Sequence, residues 1–458
     1  MVSDKFRHQL RQEAKTWQAE GLINESQYEL LSQRYQFNTL DTSARNRFIV
    51  ILIGLGSLLL GLAVITFVAA NWQDWSRELR VFLLLSVFVG VNIAGFYLWR
   101  YPTEQWQNRL GRGLLFLGAL ILGANMALMA QMFHQSGSPA GLYIVWGIGV
   151  LAMAYSLRLT LLGILSTLLI GIGYWWGFFE LSGLEDFSWL KLVLQNMPLL
   201  ASLMFIPLAY WCRSRWLFGI SAILIIVSLE ITLTQIEFPN KFLASLISTT
   251  AFVLPPALLW GYDDNFWRFR LIDDSSSKPF QIIARNLTLT FLAVLYYMFS
   301  FQFVWNDTQP SLVKQFNPND VLLLINVIFF WVLTIWQWLH LGQRMDRITA
   351  VVGSMIAIAA FVLLFHLNIA PISAFAIFVF NAVLFILAAG LIREALATGE
   401  RRGFWGGIIL LTLQIASRML EYDTNLLFKA FVLFLCGVGI IAAGLWFERY
   451  LRNFNPEQ

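Results

Sequence analysis

The amino-acid sequence predicts an all-α, polytopic membrane protein of about fourteen transmembrane helices, preceded by a small N-terminal cytoplasmic helical hairpin. Three observations lead there. Apolar runs of about twenty residues recur along the chain, each long enough to cross a hydrocarbon core of roughly 30 Å as one helix. Hydrophobic residues make up 58% of 458 and charged residues only 13%, against about 25% in a soluble domain. Most of the chain therefore cannot face water. The basic residues also alternate. Of 31 Lys and Arg, 24 fall on one set of run ends, and seven (Arg77, Arg80, Lys191, Lys241, Lys314, Arg418, Lys429) fall on the other. That bias is the positive-inside pattern, and it puts both termini in the cytoplasm.

The head, residues 1–47, begins with Phe6, Leu10, Ala14 and Trp17 at spacings of four, four and three. That spacing draws one apolar face of a helix. Gly21 follows as a C-terminal stop. Asn24 with Gln27 three residues on fits a capping box that opens a second helix carrying Tyr28, Leu31 and Tyr35. The two form a helical hairpin whose apolar face would rest on a partner, on the membrane or on the rest of the chain. No apolar h-region or cleavage site is visible in this stretch, so the first membrane helix is expected to direct insertion.

That first run, 48–70, holds 23 residues without a charge. The runs after it cover 81–99, 113–133, 140–157, 159–179, 192–212, 216–236, 242–260, 287–305, 321–341, 348–369, 371–392, 404–420 and 425–447. Two breaks are thin: Arg158 alone separates one pair, and Ala370-Pro371 another. Proline disfavours an uninterrupted helix at the second. A polar loop, 261–286, divides a first membrane half (48–260, about eight helices) from a second (287–458, about six).

Several functions are excluded by what is missing. The net charge of +4 comes from basic residues at helix ends, where they meet anionic headgroups. They form no cluster that suits nucleic acid. Cys212 and Cys436 give neither a disulfide framework nor a metal spacing. There is no Walker loop, HExxH or GxSxG motif. No cofactor, metal or catalytic residue is expected, and the chain reads as a non-enzyme.

Some short motifs carry a family resemblance. The head's WQAEGLINESQYELLSQRY, Ala70-Asn71-Trp72 after the first run, Gln131-Met132-Phe133-His134 and then Trp146 are its residues. Arg418, Glu421, Tyr422 and Asp423 before the last run add to it, although Met419-Leu420 stand where aromatics are commoner. With these the chain resembles a family of bacterial predicted polytopic inner-membrane proteins of unknown function. The resemblance implies a bacterial inner-membrane location and no activity.

Glu230 is the first candidate site residue, because an ionisable group inside a span is costly and functional by default. It would be a proton- or cation-linked carboxylate facing a cavity, or a carboxylate hydrogen-bonded to Thr232, Thr234 or a neighbouring helix. Asn71, Asp74, Gln131, His134, Arg418, Glu421 and Asp423 all fall at span ends on the outer side. They would line one polar pocket, open to the periplasmic side, that binds a headgroup or holds a general base. Helix termination for Asn71 and an i,i+3 ion pair for Arg418–Glu421 explain them equally. Asn92, Asn125, Asn326, Asn381, Gln195, Asn196 and Gln414 suit interhelical hydrogen bonds. Pro198, Pro207, Pro255 and Pro256 suit kinks that line a path.

Three functions follow. The first is a transporter-like or lipid-handling protein, in contact with membrane lipids, with a polar cavity reaching the midplane. The second is a non-catalytic scaffold or assembly factor, docking a protein partner through an apolar stripe on residues 1–40. The third is a lipid-linked glycosyl or acyl transferase, if Asp74, Glu421 and Asp423 converge.

Overall fold

The computed structural model describes residues 4–35, 37, 59, 66, 70, 74–135, 137–180, 188–236, 238, 240–264, 279–306, 320–343, 346–421 and 425–454. Asn71, Trp72 and Asp423 fall outside them, as does the first apolar run, 48–70, apart from Leu59, Thr66 and Ala70. Seventeen helices are described, and no strand is found among the described residues. Two compact units are separable, Met1–Val87 and Phe88–Gln458.

In the first unit, α1 (Asp4–Ala19) and α2 (Glu25–Tyr35) form the expected hairpin. The turn is built as the sequence predicts. Gly21 takes φ +76°, conformational space that glycine enters at no steric cost. The Asn24 amide donates to Gln27 Oε1 at 2.9 Å, and the Gln27 amide to Asn24 Oδ1 at 2.8 Å. The two satisfy each other's orphan amides as a capping box. Leu10 and Trp17 pack with Tyr28, Leu31 and Tyr35 around the buried Ala14 and Phe37. The apolar face of α1 is thus largely spent on α2.

The second unit is a bundle of long apolar helices. They are α3 (Arg77–Arg100, which begins in the first unit), α4 (Gln105–Met132), α5 (Pro139–Leu157), α6 (Thr160–Glu180), α7 (Trp189–Gln195), α8 (Met197–Trp211), α9 (Arg215–Gln235), α10 (Lys241–Trp260), α11 (Pro279–Phe299), the single turn α12 (Phe303–Asn306), α13 (Asp320–Gly342), α14 (Arg347–Asn368), α15 (Ser373–Thr398), α16 (Arg401–Glu421) and α17 (Leu426–Phe454). Among the described residues, twelve are long and apolar enough to span, and α7 with α8 makes a thirteenth. The fourteenth expected span is the run 48–70, nearly all of it outside the described residues. The protein is a multi-pass membrane protein.

Helix ends follow local chemistry. Ser138 and Asn240 accept amides of α5 and α10, and Asp346 accepts the Thr349 amide at 2.8 Å to open α14; all three are standard N-cap residues. Hydrogen bonds from Thr349 also hold the Asp346 carboxyl below its ordinary value. Gly399, at φ +71°, closes α15. Arg158 separates α5 from α6 in the left-handed region, at φ +54°. Around Ala370-Pro371, α14 ends at Asn368 and α15 starts at Ser373. The run 192–212 is not one helix. It breaks at Asn196 with a 73° bend between α7 and α8, just before Pro198, whose ring cannot continue a helix from the preceding turn. Asn326 bridges the break, donating to the Gln195 carbonyl at 3.3 Å and Asn196 Oδ1 at 3.1 Å. Pro207, Pro255 and Pro256 lie inside continuous helices.

Two apolar cores hold the bundle. One joins α5, α6, α8, α9 and α13 around Phe205, Phe218 and Phe330. The other joins α10, α11, α14 and α15 around Tyr296, Phe299 and Phe380. Helix α5 is fixed on α4 by Trp146, whose indole donates to the Ala119 carbonyl at 2.8 Å. Its ring lies flat against Gly123, where any Cβ would collide with it. Gly123→Val is therefore expected to wedge the pair apart and cost about 2–3 kcal/mol, the upper range for overpacking. Thermal unfolding in detergent measures this, with Gly113→Val as control, since Gly113 faces open space.

Candidate functional site: a three-arginine pocket

The pocket forms where α3, α4, α5 and α6 end or begin. Its volume is about 510 Å³. Trp99 and Arg100 come from the last turn of α3, Arg112 and Phe116 from the first half of α4, Ser156–Arg158 from the end of α5, and Leu159–Leu162 from the start of α6. No Asp, Glu or His lines it.

Local structure fixes each part. Gln107 Oε1 accepts the amides of Thr103 and Glu104 and opens α4 just after α3. Asn108 Nδ2 then donates to the Trp99 carbonyl at 3.2 Å, satisfying one orphan carbonyl of α3. Gly111 lets α4 press against the backbone of Trp99. These contacts bring Arg100 and Arg112 to one wall. Arg158 comes from the sharp α5–α6 turn, and its guanidinium lies over the Trp211 ring, 4.6 Å from the centroid. Tyr155 anchors this wall to α8, donating to the Met204 carbonyl at 2.6 Å. Burial pushes the neighbouring Cys212 thiol up, against a smaller opposing pull from Arg158.

All three arginines are solvent-exposed, and among the described residues none pairs with a carboxylate. Guanidinium stays charged at any accessible pH. The first turn of α6 lines the same space; the Leu159 carbonyl takes the amides of Leu162 and Gly163, which leaves those of Thr160 and Leu161 without an intrahelical carbonyl. Phe116, Leu157 and Leu161 supply an apolar side. The arrangement can hold an anion whose remainder is apolar.

None of the residues singled out by sequence is in the lining of this pocket. Gln131 and His134 are exposed at the end of α4, with His134 at φ +52°. Asp74 is exposed in the first unit. Glu230 is partly buried on α9, with Oε1 shielded and without a hydrogen-bond partner. Thr232 and Thr234 donate instead to the Ser228 and Ile231 carbonyls. Arg418 and Glu421 are brought together as an ion pair. Arg418 also bonds the Ser300 carbonyl and lies 4.3 Å over the Phe301 ring, while Glu421 accepts the Gln302 amide at 2.6 Å. Gln414 donates to Asn381, and Asn381 to Ser300. This node ties α11, α15 and α16 together and, among the described residues, forms no hydrogen bond with Glu230, Gln131 or His134.

In the sequence, Arg100, Arg112 and Arg158 stand among the 24 basic residues on the majority set of run ends, and Arg158 also separates two runs. Arg100 and Arg112 flank the α3–α4 turn and Arg158 sits in the α5–α6 turn; that the span count puts both turns on the same side was the signal available for the site.

No curated protein and no solved structure matches the chain. Residues 15–163 match the model of a family described as "Predicted membrane protein (DUF2157)". That stretch holds the whole lining of the pocket and ends before Arg418 and Glu421, so the first third of the chain is what is similar to this family of predicted membrane proteins.

Proposed function

We propose that the protein is a non-catalytic lipid-handling membrane protein that binds the headgroup of an anionic lipid between α3, α4, α5 and α6. The observation that carries this reading is the pocket with three uncompensated arginines beside an apolar wall. Lipid contact along the spans is general, but a concave basic site at their ends is specific. The Lys and Arg distribution supports a bacterial inner-membrane location with both termini, and this end of the bundle, cytoplasmic. There the leaflet's negative surface potential favours basic sites by about 1 kcal/mol per charge. The scaffold reading is less well supported, since Leu10 and Trp17 of its docking stripe pack within the head.

Native mass spectrometry of the delipidated protein tests the proposal. Phosphatidylglycerol is expected to be retained over phosphatidylcholine, and the combined Arg100→Ala, Arg112→Ala, Arg158→Gly variant to lose at least tenfold in phosphatidylglycerol affinity. Arg158→Gly removes a charge while relieving a left-handed backbone that costs a non-glycine residue about 1 kcal/mol, so the variant keeps its fold at that turn. Equal retention of both lipids by the unmodified protein would overturn the reading.

A further inference from the structure

We infer that the anionic group taken by this pocket is a phosphate monoester or diphosphate carrying two or more negative charges, and not a singly charged phosphodiester. This rests on the lipid-handling reading above and names the headgroup class.

The first argument is charge. Arg100, Arg112 and Arg158 present three permanent positive charges to one space of about 510 Å³, with no acidic or histidine side chain in its lining. Arg158 is held by the Trp211 face and not by a carboxylate, so its charge is positioned but not neutralised. A phosphodiester offsets one of the three charges. A phosphate monoester carries about −1.5 to −2 near neutral pH, and a diphosphate more.

The second argument is the number of acceptors. Each guanidinium offers a planar fork of N–H donors that pairs best with two oxygens at once. A diester has two unbridged oxygens, enough for one fork. A monoester has three, which two arginines can share. At the first turn of α6, the amides of Thr160 and Leu161 add donors beside the same space, and helix starts favour anions. Donors thus outnumber what a diester can accept.

The third argument is shape. The volume greatly exceeds that of one phosphate group, and Phe116, Leu157 and Leu161 line the rest. Leu161 is 57% exposed, so the apolar side continues outwards, as an amphiphile's chain requires.

The test uses the full-length, delipidated protein in detergent, titrated with phosphatidic acid, phosphatidylglycerol and inorganic pyrophosphate. At pH 7.5, phosphatidic acid is expected to bind at least tenfold more tightly than phosphatidylglycerol. At pH 5 that preference is expected to shrink severalfold. The monoester's second proton returns with a pKa of about 6, so it meets the three arginines with less charge at pH 5. Arg112→Ala is expected to reduce the preference, and Arg112→Lys, which keeps the charge but loses the fork, to restore it only in part. Equal affinity for phosphatidic acid and phosphatidylglycerol would overturn this inference and leave the lipid reading intact. Binding of neither lipid, with pyrophosphate still bound, would uphold the charge class and overturn the lipid reading. Binding of none of the three would overturn both.

Discussion

Asp264→Ala is expected to destabilise the protein by about 4 kcal/mol. The Asp264 carboxylate is 1% exposed and sits 15 residues before the helix it caps. Its Oδ2 accepts the amides of Phe280 and Gln281, each at 3.1 Å, at the first turn of α11. Its Oδ1 accepts the Tyr210 hydroxyl at 2.7 Å. With that proton committed, the Tyr262 hydroxyl, 2.6 Å away, donates to Tyr210. Burial, then the neighbouring Tyr210 and Asp264, hold the Tyr262 proton well above its ordinary range. Around this set Phe280 stacks on Phe218 at 4.8 Å and meets Tyr210 edge-on at 4.7 Å.

Two effects oppose each other in that variant. Burying a carboxylate costs several kcal/mol, which its removal returns. Three donors would be stranded, however, each a hydrogen bond to a charged group contributing about 1.5–3 kcal/mol. The loss is larger, because backbone amides at a helix start cannot turn elsewhere. Asp264→Asn keeps the acceptor oxygen for one side of the site and is expected to cost about half as much. Unfolding of the detergent-solubilised variants, followed by tryptophan fluorescence, reads both. A loss under 1 kcal/mol for Asp264→Ala would mean that water replaces the carboxylate and that the cap is not structural.

This cap shows where sequence reading stops. Long apolar runs, the Asn24–Gln27 box, Gly21 and the break at Ala370-Pro371 are legible because each depends on residues within a few positions. Their physics is the local satisfaction of backbone donors and the thickness of a bilayer. The α7–α8 break is half legible, since Pro198 signals trouble but only Asn326, 130 positions from Asn196, makes a bend stable there. Asp264 reads as one acid in a polar loop, and nothing nearby says that it serves Tyr210 and α11. The three-arginine pocket is hidden for the same reason. Arg100 ends α3, Arg112 lies inside α4 and Arg158 turns α5 into α6, and the packing of Gly111 on Trp99 helps make one concavity of them. Glu230 shows a different limit: its rarity inside a span is plain in sequence, whereas the shielded Oε1 without a hydrogen-bond partner is visible only in the structure.

Arg418→Ala is expected to cost about 3 kcal/mol, and its coupling to Glu421 to exceed 1 kcal/mol. The pair is only 12% and 16% exposed at the side chains, so water screens it weakly. Removing one member leaves the other poorly compensated, a loss of about 3–5 kcal/mol in fully buried pairs; partial exposure places this one at the lower end. Arg418 does more than pair. It holds the Ser300 carbonyl, freed where α11 ends, and covers Phe301, while Glu421 fixes the next turn through the Gln302 amide. Lysine at 418 can keep the Glu421 contact but not the second nitrogen's bond to Ser300 Oγ or the cover of Phe301, so Arg418→Lys is expected to lose about 1.5–2 kcal/mol, one hydrogen bond and one cation–π contact. A double-mutant cycle with Glu421→Gln isolates the pair, because glutamine's oxygen can still accept the Gln302 amide. Effects that add to within about 0.5 kcal/mol would mean independent residues, and would reduce the node to two separate caps on α11. Coupling above 1 kcal/mol would establish it as the polar latch that locks α16 to the end of α11, 118 residues earlier in the chain.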